Sequence, residues 1–195
     1  MIIRKVCVFC ASSPHVPQMY LDEAYRLGEL LAERGIGLVT GGGSRGLMAS
    51  VEDGAMSRGG KVTAVIPRFM VDAGWLHKGI SDVRLTEDMA ERKHLMLQEA
   101  DAIIVLPGGC GTMDEAMEAL TLKQLGFLTA PIMFVNTGGF YDMLSGQLQR
   151  MSDECFLDAS LDGMWAFADS VEQAADMLPS LPEWDTARAK LSLRR

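Results

Sequence analysis

Asp101-Ala102-Ile103-Ile104-Val105-Leu106-Pro107-Gly108-Gly109-Cys110-Gly111-Thr112-Met113-Asp114-Glu115 is the stretch whose reading decides the fold. Its opening is an apolar run of the kind that is buried on both faces in a parallel sheet. Glu115 to Gly126 has helical spacing. Strand, glycine turn and helix start together aim backbone N–H groups at a phosphate. Glycines let the backbone approach such a ligand closely. Glu115, one turn inside the expected helix, is placed to face whatever the turn holds. Thr112-Met113-Asp114-Glu115 also fits a capping box, with Thr112 as N-cap and Glu115 at N3, which would give the carboxylate a purely local task.

Outward from this stretch, short apolar runs alternate with helical segments, the pattern of a parallel α/β sheet. Strands are expected at Lys5–Phe9, Ile36–Thr40, Lys61–Ile66, Val83–Thr86, Asp101–Leu106, Pro131–Asn136 and Met164–Phe167. Helices are expected at Met19–Arg34, Leu47–Arg58, Asp88–Ala100, Glu115–Gly126, Phe140–Met151 and Ser170–Leu178, with Arg68–Asp82 as loop. The fold class is therefore α/β, a Rossmann-like open parallel sheet with helices on both faces. Residues 1–195 read as one nucleotide-binding domain whose C-terminal tail, from about residue 179, is peripheral. In such sheets ligands bind beyond the C-terminal strand ends, where strand order reverses. Three small-residue turns leave strand ends: Cys10-Ala11-Ser12-Ser13, Gly41 to Gly46, and Gly108 to Thr112. Ser13, Gly42, Gly43, Gly108, Gly109, Gly111 and Thr112 are the candidate cradle residues. None of these turns is a G-x-G-x-x-G with an acidic residue about twenty positions on, and no Walker Gly-Lys-Ser/Thr occurs, which speaks against a classical dinucleotide or a P-loop site. A mononucleotide or sugar-phosphate pocket fits better.

The 195 residues are 48% hydrophobic and 23% charged, which is enough apolar material for one sizeable core. A net charge of −8 makes nucleic acid an unexpected partner, because no basic stripe exists to release counterions. Met1-Ile2-Ile3-Arg4 runs straight into a strand, so no signal peptide is expected, and no apolar stretch is long enough to span a membrane. Cys7 and Cys10 form a C-x-x-C along a strand rather than at a helix start, and no second close pair makes a zinc site. The four cysteines therefore read as buried free thiols and the chain as cytoplasmic. His15, His77 and His94 are scattered, so no metal is expected; no cofactor is implied either. The 14 methionines read as gap-fillers of the core, while Trp75 either packs or covers a base.

The segment Asp88 to Leu97 carries the second signal. Arg92 is spaced i+3 from Met89 and i−4 from Met96, and Lys93 is spaced i+4 from Met89 and i−4 from Leu97. Both cations interrupt an apolar stripe. A guanidinium on a core-facing stripe needs an anion, here Glu115, Glu118 or a substrate phosphate. The competing reading is a pair of snorkelling stems.

Glu91-Arg92-Lys93 followed by Pro107-Gly108-Gly109-Cys110-Gly111-Thr112-Met113-Asp114-Glu115 resembles the Lonely Guy family, the cytokinin riboside 5'-monophosphate phosphoribohydrolases, whose motif is P-G-G-x-G-T-x-x-E. Gly41-Gly42-Gly43-Ser44-Arg45-Gly46-Leu47-Met48 and Cys10-Ala11-Ser12-Ser13-Pro14 are similar to that family too, so the resemblance runs from about residue 5 to about residue 150. It implies hydrolysis of the N-glycosidic bond of a nucleoside 5'-monophosphate to free base and ribose 5-phosphate, usually by a homodimer. Arg92 and Glu115 match its catalytic pair. Lys93, Gly109, Gly111, Thr112 and Thr121 match positions lining its nucleotide site. Two positions depart: Ala90 stands where His is frequent, and Gly74 aligns with a Glu near the base. Relatives were often labelled lysine decarboxylases, but nothing here resembles a pyridoxal-phosphate lysine site. Leu95, Leu97, Leu122 and Leu125 supply surplus apolar surface for a two-fold interface. A nucleosidase acting on ordinary nucleotides such as AMP, or a nucleotide-binding module without turnover, is the alternative.

Overall fold

The computed structural model describes residues 2–157 and 163–186. The chain runs β1 (Lys5–Phe9), α1 (Gln18–Glu33), β2 (Gly37–Thr40), α2 (Gly46–Ser57), β3 (Val62–Pro67), α3 (Arg68–Asp72), β4 (Asp82–Thr86), α4 (Met89–Gln98), β5 (Ala102–Val105), α5 (Cys110–Leu125), β6 (Ile132–Val135), α6 (Asp142–Asp153), β7 (Trp165–Ala168) and α7 (Val171–Met177). Among the described residues these strands form one parallel sheet in the order β4-β3-β2-β1-β5-β6-β7. Cys7 lies between Val39 of β2 and Ile103 of β5, so the order reverses beside the central strand.

Strand residues alternate between two cores, because successive side chains leave a strand on opposite faces. Val6, Val8, Leu38 and Ile104 pack with Leu27 and Leu31 of α1, Val51 of α2 and Ala174 of α7. Cys7, Phe9, Val39 and Ile103 pack with Met96 of α4 and with Ala116 and Leu120 of α5. Helices thus cover both faces, which is why the central strands read as continuous apolar runs.

Several details differ from the sequence expectation. The segment from Arg68 onward is not all loop, since α3 occupies its first turn and a half. Helix α5 begins at Cys110, with Gly109 as its N-cap, so Thr112 lies inside the helix and the capping box does not form. Glu115 is accordingly in the second turn. Cys7 and Cys10 are buried, but Cys110 and Cys155 are exposed, because they sit at a helix start and a helix end rather than on a core face. Leu97 is spent in the core, while Leu125 is exposed. The stretch read as a peripheral tail contains Trp184, which is buried against Met164 and whose backbone N–H donates to Thr129 O at 2.9 Å. Residues 187–195 of that stretch lie outside the described residues. Among the described residues no helix is long and apolar enough to cross a membrane.

Candidate active site

The three turns that follow β1, β2 and β5 are joined at the point where the strand order reverses. Ala11 N–H donates to Pro107 O at 3.2 Å, tying the first turn to the third, and Met48 N–H donates to Ala11 O at 3.2 Å, tying the second to the first. Gly46 allows that approach: its φ is +64°, and a Cβ there would lie 2.6 Å from Ser13 O. Together the turns wall a cavity of about 510 Å³, within the ordinary range for small-molecule sites.

One wall is the start of α5. Met113 N–H makes the first helical bond, to Gly109 O at 3.0 Å, and no side chain caps the helix. The N–H groups of Gly109, Cys110, Gly111 and Thr112 are left without helical acceptors, with the positive end of the helix dipole behind them. Gly109, Gly111 and Thr112 line the cavity, as do Ser13 and Gly43. Gly108, packed against Thr112, and Gly42, packed against Ala64, stand behind the wall.

Deeper in the cavity lie Arg92 and Glu115. Arg92 Nη1 donates to Glu115 Oε1 at 3.2 Å and its Nε donates to Val65 O at 3.1 Å. Both side chains are more than nine-tenths buried, at 7% and 8% exposure, so the guanidinium is buried and not snorkelling. The anion required on the α4 stripe is thus Glu115. Burial pushes the Glu115 carboxyl up, and the Arg92 guanidinium draws it back in part, leaving it above the usual carboxylate range. Gly41 makes room for this pair, since a Cβ there would come within 1.9 Å of Arg92 Nη2.

Lys93 and Thr121 stand apart from the cavity. Lys93 Nζ is held by Asp114 Oδ2 at 2.9 Å and Glu118 Oε2 at 2.7 Å. It faces a shallow groove on the outer side of α5, shared with Thr121 and Met117. Trp75 is half-exposed and lines the cavity mouth with Met70 and Met48. Its position is set by backbone: Ser44 N–H donates to Trp75 O at 2.9 Å, and His77 N–H donates to Gly42 O at 2.8 Å.

Glu52, which the sequence reading passed over, supports the second turn from beneath. Gly42 N–H donates to Thr40 Oγ1 at 3.1 Å, and Thr40 Oγ1 donates to Glu52 Oε1 at 2.6 Å. Glu52 is wholly buried, and among the described residues its Oε2 has no hydrogen-bond partner. The stripe argument that found Arg92 would have found it, because Glu52 sits four residues after Met48 on the buried face of α2. Burial pushes its carboxyl up to about 8. The folded chain therefore keeps a proton that the unfolded chain releases near pH 4.5, and stability falls as pH rises from that value to about 8. The slope from this one group is at most about 1.4 kcal/mol per pH unit. Thermal unfolding between pH 5 and 8 should show a steeper fall in Tm for the wild type than for Glu52→Gln; parallel curves would show that Glu52 does not titrate in this window.

Comparison with known proteins gives the family and the fold. A family described as possible lysine decarboxylase matches residues 48–178. A cytokinin riboside 5'-monophosphate phosphoribohydrolase of Arabidopsis thaliana is 35% identical over 189 residues, covering 96% of this chain and 87% of its own. A second from the same plant is 38% identical over 154 residues, with 79% and 72% covered. Among solved structures, the structural-genomics target TM1055 superposes with a TM-score of 0.71 at 27% identity, covering 91% of this chain and 99% of its own. The molybdenum cofactor carrier protein of Chlamydomonas reinhardtii, at 21% identity and a TM-score of 0.70 over 91% of this chain and 96% of its own, shares the fold. A pyridoxal-phosphate decarboxylase needs a lysine to hold its cofactor, and among the described residues no lysine lines this cavity.

Proposed function

This chain belongs to the family of cytokinin riboside 5'-monophosphate phosphoribohydrolases, and from that membership we propose that it hydrolyses the N-glycosidic bond of a purine nucleoside 5'-monophosphate. The observation that carries the reading is one cavity faced by both an uncapped helix start and a buried, arginine-held carboxylate. A binding module without turnover needs the first feature and not the second.

The N–H groups of Gly109 to Thr112 hold the 5'-phosphate, and that remote binding orients the ribose over Glu115. As the C1'–N bond breaks, positive charge builds on the ribose ring, as in glycoside hydrolysis. The Glu115 carboxylate stabilises that charge and takes a proton from the water whose oxygen bonds to C1'. Arg92 serves by fixing the orientation of Glu115 through its planar fork. A carboxyl pushed above its usual range is suited to accept the proton and give it up again. The departing base then regains a proton through solvent in the open cavity. Asp114, the other candidate for protonating the base, is tied to Lys93 on the outer groove. The apolar side of the mouth, with Met48, Met70 and Trp75, takes the base.

Free base released from AMP, from other nucleoside monophosphates, from isopentenyl-adenosine monophosphate and from the matching nucleosides tests the reading. The monophosphates should exceed their nucleosides in kcat/KM by at least about tenfold, the value of one or two charge-assisted hydrogen bonds. Equal values would remove the phosphate site. The reading includes a cytoplasmic homodimer, joined where Leu125 and Phe127 leave apolar surface exposed beside α5. Sedimentation as a monomer at micromolar concentration would contradict that part.

A further inference from the structure

A nucleoside 5'-monophosphate brings about 1.5 to 2 negative charges to the cavity at neutral pH. It meets a chain of net charge −8 and a carboxylate at Glu115. Uncapped N–H groups contribute only about half a positive charge, so a side-chain cation is needed to complete the balance. Three cations lie near. Arg92 is buried and committed to Glu115 and Val65 O. Lys93 is neutralised by Asp114 and Glu118 and faces the outer groove. Arg45 lines the cavity itself. It is exposed, and among the described residues its side chain has no hydrogen-bond or ion-pair partner.

The backbone places Arg45 where such a charge is required. It is the N-cap residue of α2, extended at φ −145° and ψ 160°, and its side chain leaves the helix start unengaged. The next residue, Gly46, lies directly against Ser12 and Ser13 of the first turn. That turn is in turn bonded to Pro107, just ahead of the open N–H groups of α5. Arg45 and those N–H groups therefore line one cavity from different turns.

We propose that Arg45 closes on the 5'-phosphate of the substrate and supplies the charge that makes this site select monophosphates. The inference rests on the phosphoribohydrolase reading for the identity of the ligand, and it assigns to Arg45 the electrostatic part of phosphate recognition that Lys93 is too fully paired to supply. A guanidinium suits the task because its planar fork can span two phosphate oxygens.

The test uses Arg45→Ala and Arg45→Lys beside the wild type, with two readouts. In kinetics on AMP, Arg45→Ala should raise KM by roughly ten- to a hundredfold with kcat within a few-fold. The ratio of monophosphate to nucleoside specificity should fall in step, and the dependence of KM on salt should flatten. Arg45→Lys should recover most of the loss, because a point charge still binds phosphate. In calorimetry, ribose 5-phosphate should bind the wild type and bind Arg45→Ala at least about tenfold more weakly. A KM and a ribose 5-phosphate affinity within twofold of wild type in Arg45→Ala would overturn the proposal. If the wild type releases no base yet binds ribose 5-phosphate through Arg45, the hydrolase reading fails and this one stands. If neither protein binds ribose 5-phosphate, this proposal fails whatever the turnover.

Discussion

Glu115→Gln should lower kcat by roughly 10²- to 10⁴-fold, the usual cost of removing a positioned proton acceptor. The substitution keeps the shape of the side chain and an oxygen for Arg92 Nη1, 3.2 Å away. It removes the negative charge and the basic oxygen. A purely structural role predicts the opposite, and the structure leaves that role little room: α5 begins after Gly109 with no side-chain cap, and the Glu115 side chain reaches across to α4 instead of back to its own helix start. Leaving the buried Arg92 cation opposite a neutral partner should cost on the order of 1–3 kcal/mol. That is less than the ~5–15 kcal/mol that holds a typical domain together. Cooperative unfolding should persist, with Tm lowered. The wild-type rate should also fall on the acid side as Glu115 takes up a proton, beginning at a higher pH than for an ordinary carboxylate because burial raises it. Measuring kcat and Tm on the same preparation decides the matter; a Gln variant with near wild-type kcat would remove Glu115 from the chemistry.

Arg92→Lys should cost about 10²-fold in kcat, the scale expected when a reacting group is misplaced by about 1 Å. One planar group here makes two bonds in different directions, Nε to Val65 O at 3.1 Å and Nη1 to Glu115 at 3.2 Å. The backbone at Gly41 fits closely against Nη2. An ammonium can reach one of these acceptors and not both, so either Val65 O or the Glu115 carboxylate loses its partner. Positive charge alone does not suffice, since Lys93 beside it already carries one and is held elsewhere by Asp114 and Glu118. Turnover within a few-fold of wild type in Arg92→Lys would show that charge, and not orientation, is what the site requires.

How much of this was legible in the sequence depends on the range over which each feature is encoded. The strand at Ala102–Val105, the glycine turn and the helix beyond it are local features, written in periodicity and in glycine. So were the three turns, which share one edge because parallel strands joined by helices all end on the same side of the sheet. The helix start was misplaced by the capping-box reading for a local reason too. Thr-x-x-Glu satisfies the box pattern, but the chain is already helical at Cys110, and Glu115 finds a stronger partner in Arg92 than in a backbone N–H. Leu97 was misjudged as surplus surface because the depth of a residue depends on the neighbouring element that covers it.

By itself the sequence determined the α/β order, the position of the glycine turn ahead of α5 and the need of Arg92 for an anion. A charged residue on an apolar stripe must be paired, whatever the fold turns out to be. Only the tertiary structure decided which anion that was. Glu115 and Glu118 lie one helical turn apart, and the rotation of α5 against the sheet sends Glu115 inward to Arg92 and Glu118 outward to Lys93. The same rotation takes Thr121 away from the cavity, the packing of α4 puts Lys93 on the outer groove, and Arg45 is left as the cavity's cation with an unpaired side chain among the described residues. Spacing along a helix specifies which residues share a face. Which face meets which is set by the packing of whole helices on the two sides of the sheet, and that is a property of the assembled core.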